Sequence, residues 1–558
     1  MNPTRRESIL LSLLLLAYML LLFYHIGDYP VWNKDEGLYA DAVREMIERH
    51  NYLDPYFNYE HRWQKPILIY WVLLPFAWLW GADAWTLRLA LACLALATLA
   101  LTWLLARKLF PEKTIAFLSV FFLVSSASFI LQSRHIATHL LLLFTVLLSF
   151  YFLADLLRGR RDTRTLLLFG ASVGLAFLAK LYVGVVFILT TGFLLGAGEI
   201  WRHKAAFLRK ALLSFAAFAL VALPWYLYML AHYRIEYLHF VYHEFFDRIG
   251  RNITGRNGPF FYVKVFFGNF APWSILLLPL AAFHLKKHWG TLWRDLRANP
   301  SLLLILTGFF VVFVTLSIPK SKLPGYLFNL QGFAAILTAL AFYHAPFTRL
   351  VKATLLGLQI LLSLALIAIW ILYFDDRSFP FALILAATLG LFFLKMRSKY
   401  LGIFRVGAVM AMLYFSVLGN IYPAISDYFG YQHFGERIVQ IRHEHPQLKV
   451  YALEGGRQSM PFYARTKIRG IQKLPTEKHY LLLVDAEHLQ SLKETIRYRI
   501  LDRSRYYKHS DSRVWQILNI AKGYRKDRPD RTGELLLLEV TGKRERTPRS
   551  RATGKPRK

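Results

Sequence analysis

Apolar residues run almost unbroken over stretches of about twenty residues from Ile9 to near Asn420, and short polar or basic segments punctuate them. A helix rises 1.5 Å per residue, so ~20 such residues cross a hydrocarbon layer about 30 Å thick. Thirteen segments fit: residues 8–26, 84–106, 114–131, 138–157, 164–179, 182–199, 210–231, 271–285, 301–318, 324–343, 350–373, 379–396 and 402–420. The first is too long for a signal peptide and has no small-residue cleavage site before Asp28. Beyond Asn420 the pattern changes. Short β-like runs at 449–453, 480–484, 514–518 and 535–540 alternate with polar helical stretches such as 486–495, which predicts a small α/β domain over residues 426–542. No repeat of fixed period is present.

One apolar stretch, residues 66–80, is ambiguous, and the basic residues arbitrate. If it lies in the membrane interface, an inside N-terminus makes every second connection cytoplasmic: 107–113, 158–164, 202–210, 286–297, 344–352 and 395–399. Those six loops are the base-rich ones, as the positive-inside tendency requires. If the stretch spans, all six fall outside. It therefore reads as an interfacial helix anchored by Tyr70, Trp71, Trp78 and Trp80. The expectation is an all-α polytopic membrane protein of about thirteen transmembrane helices over residues 1–425, with outer loops at 27–83 and 232–270. The N-terminus is cytoplasmic, and the C-terminal α/β domain lies on the outer side.

Composition agrees. The 558 residues are 56% hydrophobic and 18% charged, which excludes a disordered chain and disfavours an ordinary soluble one. Lys and Arg number 68 against 35 Asp and Glu, a net charge of +33. Because the bases punctuate apolar runs instead of coating a water-exposed domain, they point to anionic lipids or phosphorylated substrates and not to nucleic acid. The tail 543–558 carries eight Lys or Arg against one Glu and reads as a disordered arm touching anionic lipid. Cys93 is the only cysteine, so neither an intrachain disulfide nor a thiolate metal cluster is available. His135, His139, His239 and His243 lack an H-E-x-x-H spacing, and no metal site is expected from them.

Long outer loops beside a helix bundle are where chemistry concentrates. The first contains Trp32–Met46, W-N-K-D-E-G-L-Y-A-D-A-V-R-E-M, in which Tyr39, Val43, Met46 and Ile47 form the apolar stripe of a short surface helix. Asp35 and Glu36 sit at its start, where acids are favoured by the helix dipole whatever else they do. Further on, Lys65 precedes Pro66, which suits the first turn of the interfacial helix. An ammonium there can hold a phosphate or merely snorkel.

Taken together, D-E-G-L-Y-A (35–40), K-P-I-L-I-Y-W (65–71), F-L-A-K (177–180), G-P-F-F-Y (258–262) with A-P-W (271–273), and S-I-P-K-S-K-L-P-G-Y (317–326) resemble, in order, the motifs of integral-membrane glycosyltransferases that use polyprenyl-phosphate sugars. That group includes protein O-mannosyltransferases and lipid A aminoarabinose transferases. The resemblance implies a C-type membrane fold in a bacterial inner membrane, with inverting transfer from a polyprenyl-phosphate sugar to a lipid, glycan or protein acceptor on the outer side. It assigns Asp35 as general base with Glu36 in support. Lys65, Lys180, Tyr326, Arg248 and Lys322 would hold the donor phosphate, and Tyr39, Gln64 and His139 would line the substrate. The donor lipid is a substrate, and no cofactor beyond it is implied. The aminoarabinose pattern D-E-x-R-Y has Leu38 here in place of arginine, Gln64 stands where an acid precedes the lysine, and His139 stands where many relatives place a second aspartate. The alternative reading is a transporter or flippase of lipid-linked sugars, which requires ionisable residues at mid-membrane depth and broken helices in corresponding halves. Arg88, near one end of a span, is the plainest such charge.

Overall fold

All thirteen apolar segments contain helix in the computed structural model of the chain, which describes residues 2–32, 35–202, 204–250, 257–258, 260–373, 379–425, 431–453, 458–507 and 532–543. Among the described residues, eight helices are long and apolar enough to cross a membrane: Ala84–Leu109, His139–Leu157, Thr163–Lys180, Phe207–Tyr242, Pro300–Ser317, Pro324–His344, Arg349–Ile371 and Lys399–Ile421. The pair Phe261–Asn269 and Trp273–His288, bent by 108°, makes a ninth if it is one span. The remaining segments give shorter pieces. Arg5–Leu21 has 17 residues, and Tyr182–Gly198 and Leu383–Phe393 are shorter apolar stretches. Residues 114–131 split into Lys113–Val124 and Ala127–Gln132. At that break Ser125 Oγ donates to the Phe121 carbonyl and Ser126 Oγ to the Leu123 carbonyl, so hydroxyls compete with the backbone ladder. The ambiguous stretch is a 13-residue helix, Leu68–Trp80, with Trp78 and Trp80 exposed.

The chain divides into two compact units. One comprises residues 1–28, 42–56 and 61–420, the other residues 29–41, 57–60 and 421–558. In the first, Tyr18 is fully buried and its hydroxyl donates to the Gly407 carbonyl at 2.7 Å, which ties the first helix to Lys399–Ser416. Arg88 and Arg134 are buried, and both bond to the backbone at or just after the end of that first helix. Arg88 Nη1 donates to the Ile26 carbonyl at 3.0 Å, while Arg134 donates to Leu21 and Tyr24. These guanidinium groups donate to carbonyls of the last helical residue and of the segment that follows it, which suits backbone in an apolar setting. Arg88 therefore has a structural task and gives no support to a transport pathway. Gly170 lets Thr163–Lys180 approach the long helix Lys204–Gly250 closely, because a Cβ there would collide with the Ser214 carbonyl. Small residues are the usual device for such helix contacts in membranes.

The second unit is built on a five-stranded sheet, in the order Ile468–Ile471, Val450–Leu453, Tyr480–Asp485, Thr532–Lys543, Ile496–Tyr507. Its first three strands are parallel and the last two run antiparallel to their neighbours. The central run Y-L-L-L-V is buried on both faces, as a strand covered on both sides should be. Leu481 and Leu483 pack on Phe434 and Ile438 of the helix Tyr431–Glu444, and Leu482 and Val484 pack on Leu492 and Ile496. The expected strands at 449–453, 480–484 and 535–540 are present, and 486–495 folds as Ala486–His488 and Leu489–Lys493. The expected strand at 514–518 and the basic tail from residue 544 lie outside the described residues. Two strands, Ile468–Ile471 and Ile496–Tyr507, were not legible. The longer one carries Arg497, Arg499 and Arg503, and its register shifts between Arg497 and Tyr498 and between Ile500 and Asp502, so no clean alternation survives.

Candidate functional site

Lys180 is the last residue of the helix Thr163–Lys180, and Tyr182 begins the next. Lys65 and Pro66 stand at the entry to Leu68–Trp80, and Tyr326 lies in a short 3₁₀ turn, Pro324–Leu330, ahead of Gln331–His344. These three parts of the chain meet in the first unit around a cleft of about 140 Å³. Its polar lining residues include Gln64, Lys65, Lys180, Ser321, Tyr326 and Asn329, and its apolar ones include Pro66, Val183, Val186 and Leu316. None of its described lining residues is a carboxylate.

The Lys180 ammonium lies 4.4 Å from the centre of the Tyr326 ring, a cation–π contact that holds both side chains at the cleft. The 3₁₀ turn is itself tied down. Asn329 Nδ2 donates to the Tyr326 carbonyl at 2.9 Å, Asn269 Nδ2 to Pro324 at 3.2 Å, and Tyr262 Oη to Leu323 at 3.3 Å. His139 stands behind Tyr326, ring centres 6.0 Å apart, and a Cβ on Gly325 would come within 3.0 Å of its Nε2. Glycine at 325 therefore lets the turn pass against the imidazole. A cleft lined by two lysines, neutral hydrogen-bonding groups and aliphatic side chains suits a phosphate carrying a long hydrocarbon chain.

Of the residues singled out from sequence, Gln64, Lys65, Lys180 and Tyr326 line one cleft, and His139 supports it. Lys322 is buried and is not among the lining residues; its carbonyl accepts from Asn257 Nδ2 at 3.0 Å. The Arg248 side chain lies outside the described residues. Ser321, Asn329 and Tyr182 were not singled out as site residues, although Ser321 lies inside a quoted motif and the other two follow one within three residues. Among the described residues, no group of three or more His, Cys, Asp or Glu could hold a metal ion.

Asp35, Glu36 and Tyr39 belong to the second unit. The helix Asp35–Glu48 opens with both acids in its first turn. Asp35 is exposed, whereas Glu36 is buried and its Oε2 accepts from the Trp32 amide at 2.8 Å. Glu36 thus ties the first helical turn, which carries Asp35, to Trp32, and Gly37 lets that turn lie against residues 458–459, since a Cβ there would come within 2.6 Å of the Ser459 amide nitrogen. Tyr39 is 2% exposed and packs in the interior. Asp41, not singled out from sequence, is fully buried and accepts from the Asn58 amide at 2.8 Å. Asn58 in turn exchanges two hydrogen bonds with the backbone of Ile468, so a sheet edge holds this part of the loop.

Residues 64–225 match the family model of dolichyl-phosphate-mannose-protein mannosyltransferases. An uncharacterized protein of Aquifex aeolicus is 29% identical over 458 residues, covering 81% of this chain and 86% of its own length. An undecaprenyl phosphate-alpha-4-amino-4-deoxy-L-arabinose arabinosyl transferase of Proteus mirabilis is 26% identical over 61% of this chain; the match spans 60% of that relative's length. In fold, the chain is similar to ArnT from Cupriavidus metallidurans bound to undecaprenyl phosphate, with a TM-score of 0.72 at 17% identity over 94% of this chain and 97% of that one.

Proposed function

We propose that the chain is one of the integral-membrane glycosyltransferases that use polyprenyl-phosphate sugars, and that it moves a sugar from such a donor to an acceptor at the outer face of a bacterial inner membrane. The observation that carries this reading is the convergence of Lys65, Lys180 and Tyr326 on one cleft with an apolar wall. In the proposed step Asp35 takes the proton of the acceptor hydroxyl, and the oxygen attacks the anomeric carbon as its bond to the phosphate breaks. The configuration inverts, because one base and direct displacement leave no covalent enzyme intermediate. The departing phosphate gains negative charge, and ammonium groups fixed in advance stabilise that charge most in the transition state. Glu36 acts by holding the turn. Lipid, glycan and protein hydroxyls are all admissible acceptors.

The lysines give the first test. Lys65→Ala and Lys180→Ala should each weaken binding of a polyprenyl phosphate by roughly 1.5 to 3 kcal/mol, the worth of a charge-assisted hydrogen bond. Titration of the purified full-length variants with undecaprenyl phosphate measures it. Unchanged affinity in both would mean that the side chains only snorkel.

The proposed topology keeps thirteen spans, the shorter helices among them crossing with the rest, and a cytoplasmic N-terminus. It is checked with single cysteines at Arg161→Cys and Ser321→Cys in a Cys93→Ala background. The loop charges put residue 161 inside and residue 321 outside. A membrane-impermeant thiol reagent on intact cells should label only the second. Labelling of residue 161 alone would invert the topology.

A further inference from the structure

We propose that Leu181 is a positioning residue for Lys180, acting through the backbone conformation it holds and not through what its side chain touches. The inference rests on the glycosyltransferase reading given above. Leu181 has φ 50° and ψ −138°. That combination lies outside the helical and extended regions, and its ψ is far from the left-handed helical well, which sits near +47°. A helix end of this kind is normally made with glycine, which carries no Cβ penalty. Here one leucine makes the whole break, since Thr163–Lys180 ends immediately before it and Tyr182–Arg202 begins immediately after it.

The junction has no slack. Lys180, Leu181 and Tyr182 all line the cleft, and the Lys180 ammonium rests 4.4 Å from the Tyr326 ring. A change of dihedral at residue 181 turns Lys180 relative to the helix that follows and withdraws the ammonium from that ring. Arg234 has a similar backbone, φ 45° and ψ −123°, at the kink in Lys204–Gly250, but it does not line the cleft. Residues held in such regions persist only where their surroundings fix them, and they gather at ligand clamps. The plainer reading is that Leu181 is simply an apolar wall of the cleft. The two readings predict opposite rankings of substitutions.

The test compares Leu181→Gly and Leu181→Val in the full-length protein, by undecaprenyl phosphate affinity and by kcat and KM for a polyprenyl-phosphate sugar. Glycine accepts this conformation, and a β-branched residue resists it. If the backbone is what matters, Gly should keep donor affinity within about twofold while Val raises Kd and donor KM roughly 10- to 100-fold, the range for a displaced binding group, with kcat changed less. Thermal stability of Leu181→Gly should equal or exceed that of the parent, because strain is relieved. If Val binds the donor like the parent while Gly loses affinity, the wall reading is right and this inference is overturned. Should Val fail to fold, loss of affinity in Gly still overturns it, and its retention supports it. A parent protein that binds undecaprenyl phosphate yet turns over no donor would count against the transferase reading, while the binding ranking would still decide the role of Leu181.

Discussion

Asp35→Asn should abolish sugar transfer while leaving the protein folded and able to bind the donor lipid. Asparagine keeps the size and one acceptor oxygen of the side chain but cannot take a proton, so the acceptor hydroxyl would have to attack without general-base help. Loss of such help costs typically ~10² to 10⁴-fold. The structure makes the substitution a clean probe. Asp35 is exposed at the first turn of its helix, whereas the neighbouring Glu36 is buried and holds the Trp32 amide. Glu36→Gln should therefore act differently, with lower stability and a smaller loss of turnover, since it disturbs the turn and not the proton transfer. The measurement is turnover with purified donor and acceptor, beside undecaprenyl phosphate affinity and a thermal melt for each variant. Activity of Asp35→Asn within a few-fold of the parent would reject the base assignment.

What the sequence disclosed and what it hid follow from the range of the interactions involved. The helical segments were legible because membrane solvation acts on each residue locally: an apolar run of the right length is a helix whatever it packs against. Their number was less legible, because serine hydroxyls break 114–131 at Ser125 and Ser126, and because the segment at 271–285 is preceded by a second helix at a sharp bend. The cleft was legible through Lys65, Lys180 and Tyr326, since each sits beside a proline, a helix end or a turn that fixes where its head group lies. Asp41 and Asn58 could not be found this way. Their partners are seventeen residues apart in one case and at Ile468 in the other, and no short-range pattern announces a hydrogen bond of that reach. Leu181 escaped for a related reason. Nothing in the residue type says that a leucine will adopt a backbone normally left to glycine.

The sugar that the donor carries should lack an amino group, in contrast to the donor named for the Proteus mirabilis relative. Three positions of the aminoarabinose pattern differ here, Leu38, Gln64 and His139, and two of them lose a carboxylate able to pair with an ammonium. The cleft makes the same point independently, because Gln64 lines it beside Lys65 and none of its described lining residues is acidic. An amino sugar brought there would carry its cation toward two lysines with no counter-charge on the walls. An uncompensated buried charge typically costs ~3 to 5 kcal/mol, which corresponds to a discrimination of at least about a hundredfold. A neutral hexose or pentose incurs no such cost, and the Gln64 amide and the Ser321 hydroxyl can exchange hydrogen bonds with its hydroxyls. Offering the purified protein polyprenyl-phosphate aminoarabinose in competition with neutral-sugar donors measures the ratio directly. A clear excess of neutral-sugar product is expected. Preferential turnover of the amino sugar would show that its counter-charge comes from outside this cleft, and would align the chain's specificity with that of the aminoarabinose transferases.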